Sequence, residues 1–378
     1  MRYYIIAGEA SGDMYGAALM RALRRHDAHA VFRYWGGDAM AAEGGSAPVR
    51  HIRDLAIMGF VEVAAHLRTV LGNIALCKRD IAAFQPDIVV GIDYPGFNLR
   101  IEGWAKQHGY RTLHYISPNL WAWKKGRINK MRRTLDRLCY ILPFEEQFFA
   151  DNDMPQAVYV GHPLLDVIHS AHNEATAAPV GDDATAVGDD RPIVALLPGS
   201  RRQELKKTLP LMAALAAKHP EYHFVVAGMS LLGNALYESL LPKGSTVDVV
   251  YDKTYHLLAS AYAAVVCSGT ATLETAMFDV PQVVCYRANP ISIAIAKAIV
   301  SRRISYISLV NLIADSPIVT ELIQDDCTLH RLDKEFELIT TDTSNRERMQ
   351  CEYADMRTLL GNGGASQRTA DEINALLK

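Results

Sequence analysis

The chain has 378 residues, 49% hydrophobic and 21% charged, enough apolar material for two packed domains and too much for a disordered chain. Its 39 Lys+Arg against 42 Asp+Glu leave a net charge of -3, which argues against a globally basic nucleic-acid binder. Cys77, Cys139, Cys267, Cys285, Cys327 and Cys351 include no C-x-x-C pair; neither a disulfide framework nor a zinc site is expected, and a reducing compartment is.

The predicted elements follow a strand, turn, helix rhythm. Residues 3–7 read as a buried strand, Gly8-Glu9-Ala10-Ser11-Gly12-Asp13 as a small-residue turn, and residues 15–25 as a helix; together they make half of a βαβ unit. The rhythm recurs at 87–93 before a helix containing 101–108, and at 112–117 and 138–142. Residues 171–190 carry few large apolar side chains and read as a linker or flexible loop. A second series places strands at 193–197, 223–227, 263–267 and 283–286, then a helical pattern over 345–378 broken by Gly361-Asn-Gly-Gly364. The expected fold is α/β: two Rossmann-like, doubly wound parallel-sheet domains facing a cleft. The domains span 1–170 and 191–344, with 345–378 as a C-terminal helical segment. Ligands of such sheets bind beyond the carboxyl ends of the strands. The N-terminal apolar run is too short for a signal peptide. The best candidate span, 291–300, contains Lys297 and is too short to cross a bilayer. The expectation is a cytoplasmic protein that is not integral to the membrane.

Five constellations carry chemistry. In the first turn, Ser11 or Asp13 can cap the next helix, and Glu9 and Asp13 fall at the cleft edge; the string is not G-x-G-x-x-G, so no dinucleotide fingerprint is present. In Gly91-Ile-Asp93-Tyr-Pro-Gly96-Phe-Asn98, Asp93 ends an apolar strand. Partial desolvation there raises a carboxylate's pKa and suits it to general-base work; the alternative is an Asp that bonds the Pro95-Gly96 turn. Trp121 and Trp123 precede Lys124, Lys125, Arg127, Lys130, Arg132 and Arg133, a pattern suited to an anionic membrane or a phosphate-bearing ligand, or to a solvated helix face over core tryptophans. Gly199-Ser200-Arg201 follows a strand and opens a helix, which favours phosphate binding. Ser268-Gly269-Thr270-Ala-Thr272-Leu-Glu274 also joins a strand to a helix; the N–H groups make an anion site, and Glu274 either accepts both hydroxyls of a ribose or completes a capping box. Asp151-Asn-Asp153 matches the D-x-D of metal-dependent sugar transferases but reads as a surface loop. No His/Cys/Asp cluster has ligand spacing, so no metal is expected. There is no G-x-S-x-G elbow and no Walker A.

Taken in order, Ala7-Gly-Glu-Ala-Ser-Gly-Asp13, Met58-Gly-Phe-Val-Glu-Val63, Gly91-Ile-Asp93, Ser117-Pro-Asn-Leu-Trp-Ala-Trp123, Leu142-Pro-Phe-Glu145, Val160-Gly-His-Pro163, Leu197-Pro-Gly-Ser-Arg201, Ser268-Gly-Thr-Ala-Thr-Leu-Glu274, Tyr286-Arg287 and Ser308-Leu-Val-Asn-Leu312 resemble the lipid-A-disaccharide synthases, inverting glycosyltransferases of the two-Rossmann (GT-B) class, family 19. The resemblance implies transfer of diacylglucosamine from UDP-2,3-diacylglucosamine to 2,3-diacylglucosamine 1-phosphate (lipid X), giving a β-1,6 disaccharide phosphate and UDP. It implies an acceptor- and membrane-facing first domain and a second domain that binds UDP through Gly199, Ser200, Arg201, Ser268, Gly269, Thr270, Thr272 and Glu274. Ser11, Asn98, His162 and Asn311 stand in the shared blocks as substrate, acceptor or dimer positions. Trp121, Trp123, Lys124, Lys125, Arg127 and Lys130 become candidates for contact with acyl chains and the inner membrane. A homodimer with exchanged C-terminal segments, peripheral attachment, no cofactor and no nucleic acid complete the implied picture. Many members read Asp-x-Pro-Asp-Phe-Asn where this chain has Gly96 for the second acid, so the candidate base is Asp93, with Glu9 and Asp13 as rivals. The competing readings are a UDP-N-acetylglucosamine 2-epimerase-like enzyme and a catalytically silent UDP-sugar-binding protein.

Overall fold

The computed structural model describes residues 1–55, 67–118, 120, 126–168, 190–287 and 306–378. The chain divides into two compact units, Met1–Val167 with Asn362–Lys378, and Ile168–Gly361. All of the linker 171–190 but its last residue, the candidate span 291–300, the block 58–63 and the Trp121–Lys125 segment lie outside the described residues. No described helix is long and apolar enough to cross a membrane.

The first unit is built on a parallel sheet in the order β2-β1-β3-β4-β5-β6. Its strands are β1 (Arg2–Ala7), β2 (Val31–Trp35), β3 (Ile88–Ile92), β4 (Arg111–Tyr115), β5 (Arg137–Tyr140) and β6 (Ala157–Tyr159). β3 is buried at every position and β1 from Tyr3 onward, as expected of strands covered by helices on both faces. Tyr4, Ile6, Trp35, Val89, Phe97 and Ile101 form one core cluster, and each large apolar side chain so buried contributes about 1.5–3 kcal/mol. The Trp35 indole N–H donates to the Tyr4 hydroxyl at 2.9 Å, and that hydroxyl donates to Asp80 at 2.8 Å, so the buried polar atoms are paired.

The second unit repeats the plan with β7 (Ile193–Leu197), β8 (His223–Gly228), β9 (Asp248–Tyr251), β10 (Ala263–Cys267), β11 (Gln282–Tyr286) and β12 (Thr320–Ile323), ordered β12-β11-β10-β7-β8-β9 and parallel throughout. In each sheet the strand order reverses once, between β1 and β3 and between β7 and β10. These switch points are where open parallel sheets bind ligands.

The C-terminal helical residues are shared between the units. The helix Thr343–Leu360 packs in the second through Met349, Tyr353 and Met356. Gly361 and Gly364 turn the chain, and the helix Ala365–Leu377 packs in the first against the helix Ala10–His26. Asp166 accepts the Gly364 and Ser366 N–H groups at its N-terminus, and Arg368 Nε donates to the Val160 carbonyl at 2.7 Å.

One expectation is corrected here. The first helix begins at Ala10 rather than near residue 15, with Glu9 as its N-cap. Ser11 and Asp13 therefore sit inside its first turn and cap nothing there.

Candidate functional site

Because β1 and β3 are neighbours, the turn after β1 and the Asp93–Asn98 loop share one carboxyl edge. The Tyr94 ring lies directly against Gly8. Asp93 and Tyr94 both adopt left-handed backbone, φ 45° and 49°, which is costly for residues other than glycine and mildest for Asp and Asn. Two groups hold this kink: the Asp93 N–H donates to the Tyr115 carbonyl at 2.9 Å, and the Asn98 amide donates to the Asp93 carbonyl at 2.8 Å and to those of Ile6 and Ile92 at 3.2 Å each. Asn98, fully buried, thus pins two strand ends. Asp93 and Glu9 are half-buried at this edge. Burial and then Glu9 push the Tyr94 phenol upward, so Glu9 lies near that ring. Asp13 is aimed elsewhere: its carboxylate accepts the N–H groups of Gly37 (2.6 Å), Ala39 (3.0 Å) and Met40 (3.1 Å) and caps the helix Asp38–Gly44. Gly96 is exposed in the first turn of the helix Pro95–Gln107, and a Cβ there would meet nothing within 4 Å. The position of the family's second acid is open.

Behind Asp93 lies a pair that sequence reading missed. His114 on β4 and Glu102 on the helix Pro95–Gln107 are both fully buried, with Nδ1 and Oε1 2.7 Å apart. Gly91 is opposite His114 in the sheet register, and a Cβ at Gly91 would overlap the Glu102 carboxylate and come 3.0 Å from Asn98 Cβ. Glycine is required there by close approach. We expect Gly91→Ala to lower stability by about 2 kcal/mol, an ordinary overpacking cost. Thermal unfolding measures it, and an unchanged midpoint would show that the pair yields freely. Glu145, the first residue of the helix Glu145–Asp151 that follows β5, is a second buried carboxyl. Burial, opposed by the Leu142 N–H and the Ser117 hydroxyl, pushes its pKa up to about 8.

In the second unit the neighbouring strands β7 and β10 bring their two loops together. A Cβ on Gly199, whose φ is 108°, would come 2.7 Å from Glu204 and 3.4 Å from Cys267 Sγ. Ser200 and Arg201 are exposed, Arg201 as N-cap of the helix Arg202–Ala216. The Arg201 guanidinium meets Glu204 at 3.5 Å with half its side chain in solvent. Gly269 and Thr270 are exposed at the start of the helix Thr270–Met277, whose N-cap, Gly269, has no side chain to cap it and whose fifth residue is Glu274. The capping-box alternative for Glu274 is therefore not realised. Its carboxyl instead accepts the Tyr255 hydroxyl at 3.4 Å, and burial, opposed by that bond, pushes its pKa up to about 7. Ser268 donates to the Ile307 carbonyl at 3.1 Å, and Thr272 is buried with its hydroxyl on the Gly269 carbonyl at 2.8 Å. These two shape the loop, while Gly269 and Thr270 present it.

The remaining named residues fall elsewhere. Asn311 is buried, with its amide shared between both backbone groups of Val319 and the Glu321 carboxylate, which also holds Ser308. His162 is buried and accepts the Leu164 N–H. Burial lowers its pKa to about 4, which favours the neutral ring with its single proton on Nε2. Ser11 is half-buried in its helix. Lys130 is exposed, its stem over Gly103, and Arg127, beside Arg100, is half-buried. Among the described residues no three His, Cys, Asp or Glu side chains gather as metal ligands.

The chain's architecture is that of the GT-B class. It superposes on the UDP-GlcNAc 2-epimerase of Neisseria meningitidis bound to UDP-GlcNAc with TM-score 0.70 at 12% identity, covering 99% of this chain and 100% of that one. It superposes on the glycotransferase of kitacinnamycin with TM-score 0.63 at 16% identity, covering 100% and 99%. At such identities the likeness is one of fold. Sequence decides further: the lipid-A-disaccharide synthetase family model matches residues 3–374. Lipid-A-disaccharide synthases of Geobacter metallireducens and Chromohalobacter salexigens are 34% and 35% identical, each over 100% of this chain and 97% of its relative; that of Acidobacterium capsulatum is 37% identical over 96% and 92%. The chain belongs to the lipid-A-disaccharide synthase family, glycosyltransferases of lipid A biosynthesis, and not to the epimerases whose fold it shares.

Proposed function

We propose that this enzyme transfers 2,3-diacylglucosamine from UDP-2,3-diacylglucosamine to 2,3-diacylglucosamine 1-phosphate. The observation that carries the reading is that the two switch points, β1/β3 and β7/β10, hold the carboxylate motif and the anion-binding motif respectively. The acceptor 6-hydroxyl attacks the donor anomeric carbon from the face opposite UDP. Asp93 takes the hydroxyl proton as the new C–O bond forms. The bond from the anomeric carbon to the diphosphate oxygen breaks and its electron pair leaves with UDP, inverting that carbon. The N–H groups at Gly269–Thr270 and the Arg201 guanidinium stabilise the departing charge. Incubation with both acylated substrates should yield disaccharide phosphate and UDP in equal amounts. Absence of the disaccharide, or epimerisation of a UDP-sugar, would sink the reading.

The same reading includes a metal-independent reaction, a homodimer and peripheral attachment to the inner membrane. A helix N-terminus and Arg201 supply the positive potential that a metal supplies elsewhere. Acylated substrates partition into a bilayer, and Trp121, Trp123, Lys124, Lys125, Arg127 and Lys130 have the composition to meet its surface. Full activity is expected in EDTA, and partial release from anionic vesicles in high salt. Activity restored only by Mg²⁺, or vesicle binding unchanged when Lys124, Lys125, Arg127 and Lys130 become Ser, would overturn these points.

A further inference from the structure

We propose that the buried Glu102–His114 pair is a positioning device for Asp93: it braces the strand-end backbone that carries Asp93 and sets the His114 ring within electrostatic reach of its carboxylate. The inference rests on the reading of Asp93 as the base. Three observations carry it. First, the pair is wedged rather than incidental. Both side chains are fully buried and 2.7 Å apart, and the sheet has a glycine at position 91, where any side chain would displace Glu102. Second, the brace is continuous. Glu102 and Asn98 both press on Gly91, and the Asn98 amide holds the carbonyls of Ile92 and Asp93, so the strained Asp93–Tyr94 backbone rests on the pair. Third, Glu102 Oε2 and Asn98 Oδ1 are buried with no hydrogen-bond partner among the described residues, while His114 has the Ile116 backbone as a second partner besides Glu102. Two buried, unpaired oxygens cost stability, and replacing such a pair by apolar residues is commonly neutral or stabilising, so stability alone does not account for the arrangement.

The charge state agrees. Burial pushes the His114 imidazole downward, but Glu102, by charge and hydrogen bond, then the Asp93 charge and a bond to the Ile116 backbone more than offset it, and its pKa lies above the ordinary histidine value. The titratable groups facing His114 are Glu102 from the helix and Asp93 from the end of β3. β5 presents Leu138 at the paired position, and the helix Ala365–Leu377 packs on β4 near Tyr115, whose hydroxyl has Ser366 and Thr369 beside it. Coupling is reciprocal: whatever Asp93 does for the imidazolium, the imidazolium does for the carboxylate.

Two measurements test this. In protein labelled with ¹⁵N-histidine, the His114 titration should move to lower pH in Asp93→Asn than in the wild type; an unmoved titration overturns the inference whether or not Asp93 is the base. In His114→Gln, whose amide can still donate to Glu102, only the positive partner is removed, and the acidic limb of the kcat/KM profile should move to higher pH. A limb that stays in place, in a variant that folds, also overturns it. If instead Asp93→Asn turns over like the wild type, the base reading fails, and the His114 titration still reports on the coupling.

Discussion

Asp93→Asn is expected to fold normally and to lose about 100–10,000-fold in turnover, the usual cost of removing a general base. The fold survives because the substitution respects the backbone. Position 93 is left-handed, at φ 45°, and Asn tolerates that region as well as Asp does. The main-chain bonds of residue 93, to the Tyr115 carbonyl and from the Asn98 amide, do not involve its side chain. Asp93 is favoured over its rivals by geometry. Asp13 commits its carboxylate to three backbone N–H groups, and Glu9 is the N-cap residue of the helix Ala10–His26, beside the Tyr94 ring. The open site at Gly96 supplies a second arm. An aspartate there meets no atom within 4 Å of its Cβ and sits in the first helical turn, where a negative charge stabilises by about 0.3–1 kcal/mol. Asp93→Asn/Gly96→Asp should therefore recover part of the lost rate, because an acid returns to the same strand-end loop, three residues on. Disaccharide formation in single and double variants decides it. Near-normal turnover in Asp93→Asn moves the role to Glu9, and a double variant no better than the single one means that position 96 does not reach the acceptor hydroxyl.

How much of this was legible in the sequence follows from burial. β1, β3, β4, β5, β7, β8, β10 and β11 could be read directly, because strands covered on both faces appear as continuous apolar runs. β2, β6, β9 and β12 were not placed, and all four are sheet edges. An edge strand is half-solvated, so Val31–Trp35 alternates exposed and buried residues and Ala157–Tyr159 is only partly buried throughout. The motifs were legible for a related reason: a loop that follows a strand and opens a helix is contiguous in sequence. What no window along the chain could show is pairing across strands. Glu102 and His114 meet only because β3 and β4 fix Gly91 opposite His114. Asp13 reaches Gly37 across 24 residues, so its carboxylate reads as a site residue until the neighbouring helix is seen. The Asn311–Glu321 network is likewise set by tertiary contact rather than by motif.

UDP should bind the second unit, and Arg201→Ala and Glu274→Ala should each weaken it by about 10–100-fold, the loss of a charge-assisted bond of about 1.5–3 kcal/mol. The loops that carry these residues adjoin, following the neighbouring strands β7 and β10, so the expected arrangement has their exposed N–H groups on the phosphates and Glu274, one turn deeper, on the ribose. The two variants should differ in their dependence on pH. Glu274 has its pKa pushed up to about 7 by burial, against the Tyr255 hydroxyl. Only the ionised carboxylate accepts both ribose hydroxyls, so binding selects that form and releases a proton where Glu274 is still protonated. Affinity should accordingly rise as pH climbs from about 6 to 8 and then level off. The terminal phosphate of UDP titrates in the same region, at about 6, and adds its own slope to every profile. Glu274→Gln isolates the carboxylate: it keeps the ligand's slope and loses the rest, whereas Arg201→Ala is weaker at every pH but retains both. Calorimetric titration of UDP, in buffers of different ionisation enthalpy, measures affinity and proton release together. Identical pH profiles in wild type and Glu274→Gln would remove Glu274 from the ribose site, and unchanged affinity in both alanine variants would place the nucleotide elsewhere on the chain.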